Sequence, residues 1–141
     1  MTLLMTYAKI QEIAAAIDGI NSAPTVMPGS LTGEHLPIAL CFPGPAEWKE
    51  QAVGFFRQDR TMYLRVFVRP IATGDGPDEG FQEVLPLLQV VGDTFNRNMS
   101  LDNTVDHIQA IFDGGVRGDM DFAGVAYHGF ELSFQVTIKE E

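Results

Sequence analysis

Apolar positions along this chain repeat with two different periods, and the switches between them mark out helices and strands. Ile10, Ile13, Ala14, Ile17 and Ile20 recur every three or four residues, the spacing of an amphipathic helix. Ala14 to Ala16 add helix propensity, Thr6 can act as N-cap, and Gly19 followed by Asn21-Ser22-Ala23-Pro24 stops the segment, so a helix is expected over 6–20. Residues 24–35 carry prolines and glycines without sustained period and read as a long extended connection. Leu36 to Phe42 is a short apolar run closed by Pro43-Gly44-Pro45, a strand and a turn.

Glu47 to Gln58 supports two readings. Trp48, Ala52 and Phe56 suit a helix, whereas Val53-Gly-Phe-Phe-Arg suits a strand entering a turn at Gln58-Asp59-Arg60. A hairpin with the next segment favours strand over Glu50 to Arg57. That next segment, Thr61 to Pro70, alternates strongly, with Tyr63, Arg65, Phe67 and Arg69 opposite Met62, Leu64, Val66 and Val68. Residues 72–80 form an acidic, glycine-rich loop. Phe81, Leu85, Leu88, Val91 and Phe95 then return to helical spacing; either Pro86 kinks this helix or its regular part begins near Val84. Residues 104–112 fit a helix through Val105, Ile108 and Ile111, or a strand beside the last hairpin. A glycine-rich turn is expected over Asp113 to Asp119, then strands over Met120 to Tyr127 and Phe130 to Ile138 joined around His128-Gly129. In the last strand Phe130, Leu132, Phe134, Val136 and Ile138 share one face. The order predicts one α+β domain over residues 1–141, with residues 1–5 a disordered extension and 24–35 and 72–80 long loops. Two main helices pack on one face of an antiparallel sheet, a mixed sheet being the variant left open.

Composition narrows function mainly by exclusion. With Lys+Arg 9 against Asp+Glu 19, the formal net charge of −10 disfavours gripping nucleic acid or an anionic membrane. Hydrophobic residues at 45% rule out a disordered acidic tail. The N-terminus lacks the basic region of a signal peptide, and no apolar run approaches the ~20 residues of a membrane-spanning helix.

Candidate chemistry is sparse. Cys41 lies among apolar neighbours and reads as a buried small hydrophobe. His35, His107 and His128 are scattered, and neither Asp119-Met-Asp121 nor Asp75-Gly-Pro-Asp78-Glu79 matches a calcium loop, so no metal, cofactor or catalytic residue is assigned. Tyr63, Arg65, Phe67 and Arg69 form an aromatic and cationic stripe of the kind enriched at protein interfaces, packing beneath a helix being the competing explanation.

Taken in order, these segments resemble the tail terminator (tail completion) proteins of long-tailed bacteriophages. The likeness lies in Tyr7-Ala-Lys-Ile-Gln-Glu-Ile with its proline-rich continuation, Leu36-Pro-Ile-Ala-Leu, and Tyr63-Leu-Arg-Val-Phe-Val-Arg-Pro-Ile followed by an acidic loop. It continues through Pro86-Leu-Leu-Gln-Val-Val-Gly-Asp-Thr-Phe, Ser100-Leu-Asp-Asn-Thr-Val-Asp-His and Asp121 to Val136. The resemblance implies a non-enzymatic virion subunit, assembled in the host cytoplasm as a ring, a hexamer in that family, at the head-proximal end of the tail tube. Its implied partners are copies of itself, the tail tube protein and the head connector, with double-stranded DNA passing through unbound. It also favours strand for 104–109 and a kinked helix through Pro86. In such a ring, Asp75, Asp78, Glu79, Asp113, Asp119 and Asp121 are candidates for a lumen that repels phosphates. The alternatives are another head–tail joining or head-completion protein, and a small α+β ligand-binding domain or enzyme.

Overall fold

The computed structural model describes residues 3–31, 33–52, 55–71, 81–101 and 108–140. Two helices, α1 (Leu3–Ala15) and α2 (Phe81–Asn96), lie against one antiparallel sheet of four long strands. The strands are β1 (Ile38–Ala52), β2 (Phe55–Pro70), β3 (Ile108–Phe122) and β4 (Val125–Glu140), in the spatial order β1-β2-β4-β3. A single parallel bridge, Ser22 to Ile38, is the one departure from antiparallel pairing among the described residues.

The alternation in β2 and β4 builds the main core. Met62, Leu64, Val66 and Val68 from β2 meet Phe130, Leu132, Phe134, Val136 and Ile138 from β4. Ile10, Ile13, Ala14 and Ile17 from α1 and its C-terminal turn, and Val84, Leu87, Val91 and Phe95 from α2, close this layer from one side. The α+β architecture with both helices on one face is therefore the one expected. Helix α1 starts earlier than expected, so Thr6 is a fully buried residue inside it rather than its cap. It also ends earlier than expected, at Ala15, so Ile17 and Ile20 lie beyond it, in a turn that reaches Gly19 at φ 96, a conformation glycine adopts without steric cost. Helix α2 begins at Phe81, ahead of Val84, and continues past Pro86 to Asn96.

The turns are where the expectations fail. Pro43-Gly44-Pro45 does not end β1; it forms a bulge between Pro43 and Ala46, and the strand continues to Ala52. Gln58-Asp59-Arg60 lies inside β2, and the chain reverses instead where Ala52 pairs with Phe55. Asp113 to Asp119 is part of β3, which absorbs its glycines through register shifts. The last hairpin turns at Ala123-Gly124, both at positive φ (51 and 83), so His128 and Gly129 lie within β4 and His128 is buried rather than at a tip. Of the 104–112 segment, 108–112 is strand, and 104–107 lies outside the described residues, as does 72–80.

Gly129 has a packing role. A side chain there would run into the Val66 carbonyl oxygen and the Met120 sulfur. Nearby, Phe122 meets Phe67 edge-on at 5.6 Å, with Tyr127 making a second edge contact to Phe67 at 5.6 Å. Leu36, Ile38, Leu40 and Met120 complete this second, smaller core on the face away from the helices. The segment from Ala23 to Leu31 crosses the β1 edge: Ala23 packs on the helix side and Leu31 on the other. Backbone and side chain seal that edge at Ala39, whose N–H bonds the Ser22 carbonyl at 3.0 Å and whose carbonyl accepts from Gln11 Nε2 at 3.0 Å.

Candidate functional site

Neither α1 nor α2 lies on the second face of the sheet, where one end is covered by Leu31 and Leu36, the residues flanking a short 3-10 turn at Gly33–His35. Beyond the small aromatic core at one end, this face is built of rows that the strand register sets side by side. Phe42 pairs with Tyr63, Tyr63 with Ser133, and Ser133 with Phe112. Directly opposed residues share a face, so three aromatic rings line one row across all four strands, about 14 Å wide. Phe112 is 69% exposed, which is unusual for a phenylalanine in a strand. Gly44, in the β1 bulge, leaves room for the Tyr63 ring, which a side chain at that position would strike.

Next to that row stands a charged one. Arg65 Nε donates to Glu131 Oε2 at 2.6 Å, and the guanidinium lies 5.0 Å from the centre of the Phe42 ring. On the other side of the aromatic row, Asp59 is buried at the base of the β1–β2 arm. Its Oδ1 accepts from Thr137 Oγ1 at 2.9 Å, and its Oδ2 accepts from Arg57 at 3.2 Å with Lys49 Nζ at 3.7 Å. These contacts tie β1, β2 and β4 together. The arm carries Trp48, 54% exposed.

Three of the four residues of the stripe expected from the sequence are on this face, and two of them are partly exposed. Tyr63 and Arg65 are there. Phe67 shares the face but is buried (1% exposed) in the small aromatic core, so it is structural. A register shift between Phe67 and Arg69 turns Arg69 away, and its guanidinium lies 3.7 Å from Glu83 on α2. Sequence reasoning missed Phe42 and Phe112 because their place in the row depends on register, which two bulges shift. Alternation within a single strand carries no such signal.

Of the six proposed lumen carboxylates, the structure places Asp113, Asp119 and Asp121 on one edge strand, β3, with Asp113 and Asp121 exposed. The Asp113 carboxylate also accepts from the Gly115 N–H at 2.6 Å. Asp75, Asp78 and Glu79 lie outside the described residues, as does His107.

Cys41 is fully buried, and burial pushes its thiol up to about 12, so it is neither a thiolate nor accessible at neutral pH. Burial, with a smaller effect from Cys41, also raises Tyr7. Among the described residues no three side chains are grouped to hold a metal ion, and no helix is long and apolar enough to cross a membrane.

No protein-family model matches this chain, and no curated protein matches its sequence. What is established is the class: an α+β domain with one helix-covered and one open sheet face.

Proposed function

We propose that the chain is a structural subunit that closes into a ring through its open sheet face and its overhanging strands, serving as the terminator of a long phage tail. The observation that carries this reading is the open face itself. Strands of 15 and 16 residues are far longer than the usual ~5–6, and β1 from Pro43 to Glu50 is exposed or half-buried at every position. An aromatic row flanked by an arginine–carboxylate pair has the composition of an interface centre with a polar rim. A repeated subunit can bury such a surface against its neighbour, and closed symmetry then leaves no unpaired copy.

The particular place in the tail rests on the resemblance in segment order. In that setting the partners are further copies of the chain, the tail tube and the head connector. The net charge of −10 then has a mechanical use: a conduit lined with carboxylates lets the duplex slide because nothing holds its phosphates.

Negative-stain imaging of the protein mixed with tail tubes tests this reading. The expected result is a ring capping one end of each tube and arrest of further elongation. Rings that bind only connector-bearing heads would move the protein to another neck position. No association with either would refute both.

A further inference from the structure

We infer that the open sheet face of one copy seats on the acidic β3 rim of the next, so that copies associate head to tail and not face to face. The inference rests on the proposal that the open face is the assembly surface, and it names what that face meets.

Strand register divides the charge of the chain unevenly. Lys49 pairs with Arg57 and Arg57 with Lys139, a basic row across β1, β2 and β4. Paired residues share a face, as do alternate residues along a strand, so this row lies on the face of Asp59, Tyr63 and Arg65. Arg117, opposite Gly129, is assigned to the same face. The carboxylates at its paired positions are Glu47, Asp59 and Glu131. The open face thus holds five of the nine basic residues and three of the nineteen acidic ones, an excess of two positive charges. The remainder of the chain, with four basic and sixteen acidic residues, carries −12. Much of that acid follows β3. Residues 102–121 include five aspartates, and Arg117 is their sole Lys or Arg. Asp113 pairs with Leu132 and Asp121 with Ala126, helix-side positions of the register, and both are exposed on this outermost strand.

This partition selects both the occupant and its orientation. Two chains at −10 each repel overall, and the contact that most relieves the repulsion sets the positive face of one against the negative rim of the other. A two-fold, face-to-face dimer would oppose the same patch on both copies, positive to positive. Duplex DNA is also acidic, but among the described residues Arg57 and Lys49 already converge on Asp59, and Arg65 on Glu131. Gripping phosphates needs cations not already matched. Extension of the sheet from copy to copy is disfavoured as well. Strand β1 carries Pro43 and Pro45 at its bulge, and β3 is broken by three register shifts, both devices that blunt an edge. Side chains therefore make the contact, with Phe112, 69% exposed, as its apolar element. In this arrangement Asp113 and Asp121 meet a neighbour rather than the lumen. Such a contact uses two different patches, so it repeats from copy to copy and closes where the rotation allows a ring.

The test is complementation between two variants of the full chain, read by sedimentation velocity. One has its face blocked by Phe112→Asp; the other has its rim blocked by Asp113→Lys together with Asp121→Lys. Each alone should stay monomeric, and an equal mixture should form a 1:1 heterodimer, because one intact face then meets one intact rim. A gentler pair, Asp113→Asn with Asp121→Asn, removes the charge at nearly constant shape and should weaken association of the otherwise native chain about tenfold. A rim-blocked chain that assembles like the native one, a mixture that stays monomeric, or association unchanged by the asparagine pair would overturn the inference while leaving ring formation standing. Saturable binding of a labelled DNA duplex to the open face, lost in Arg65→Gln, would overturn it in favour of nucleic acid. A native chain that never associates would overturn both readings together.

Discussion

The two faces of this one sheet are made of the same four strands and have opposite characters. Toward the helices, every inward position of β2 from Met62 to Val66 is fully buried and aliphatic or thioether. Toward the other side, the intervening positions are Tyr63, half-exposed, and Arg65, ion-paired to Glu131. Period-2 alternation thus places the main core on one face and leaves a partly exposed row on the other, the row proposed above as the assembly surface. Substitutions on the first face should act on folding, and those on the second on assembly.

The largest expected effect is Leu64→Ala. It deletes a fully buried side chain in the middle of the helix-side core and should cost about 3–5 kcal/mol in urea unfolding. Its neighbour Tyr63→Ala, one residue away on the other face, should cost about 1 kcal/mol or less. Similar losses from the pair would erase the contrast between faces. Next is Gly129→Ala, where the added methyl strikes the Val66 carbonyl; a loss of about 3 kcal/mol is expected by the same measurement. An unchanged midpoint would mean that β2 and β4 are not so closely apposed. Asp59→Ala leaves Arg57, Lys49 and Thr137 without their shared acceptor at the base of the arm and should cost about 2 kcal/mol.

Much of this contrast was legible in the residues. The strict alternations of 61–68 and 130–138 indicate which side chains face the helices, and the 3.6-residue periods locate both helices, although Arg69 departs from the pattern at a register shift. The turns were not legible, for identifiable reasons. Gln58-Asp59-Arg60 has turn chemistry, yet Asp59 is held inside a strand by cations on two strands and a hydroxyl on a third. His128-Gly129 looks like a hairpin tip, but Gly129 is there for the close approach of Val66 and Met120. The true tip, Ala123-Gly124, needs positive φ at both positions without the usual Asn or Asp. The aromatic row was hidden for a related reason: it is assembled from four strands whose bulges set its register.

A pH effect separates the faces in another way. The Cys41 thiol is raised from its ordinary value of 9.0 to about 12 by burial, so the unfolded chain ionises first. Its contribution to stability is complete below pH 9 and is lost as the pH rises toward 12. Urea midpoints should therefore fall more steeply above pH 9 in the native sequence than in Cys41→Ala, and thiol reagents should label Cys41 only after unfolding. Parallel pH profiles would contradict this. The smallest expected effect on folding is Phe112→Ser, within about 0.5 kcal/mol, because the ring is mostly in solvent.

That same variant carries the decisive measurement: sedimentation velocity over a concentration series, with and without tail tubes, on the native chain and on Phe112→Ser. The native chain should pass from monomer to one discrete ring species, with Phe112→Ser shifting the transition to at least about tenfold higher concentration at unchanged stability. A native chain that stays monomeric throughout, tubes present or absent, or a ring indifferent to Phe112, would contradict assembly through the open face.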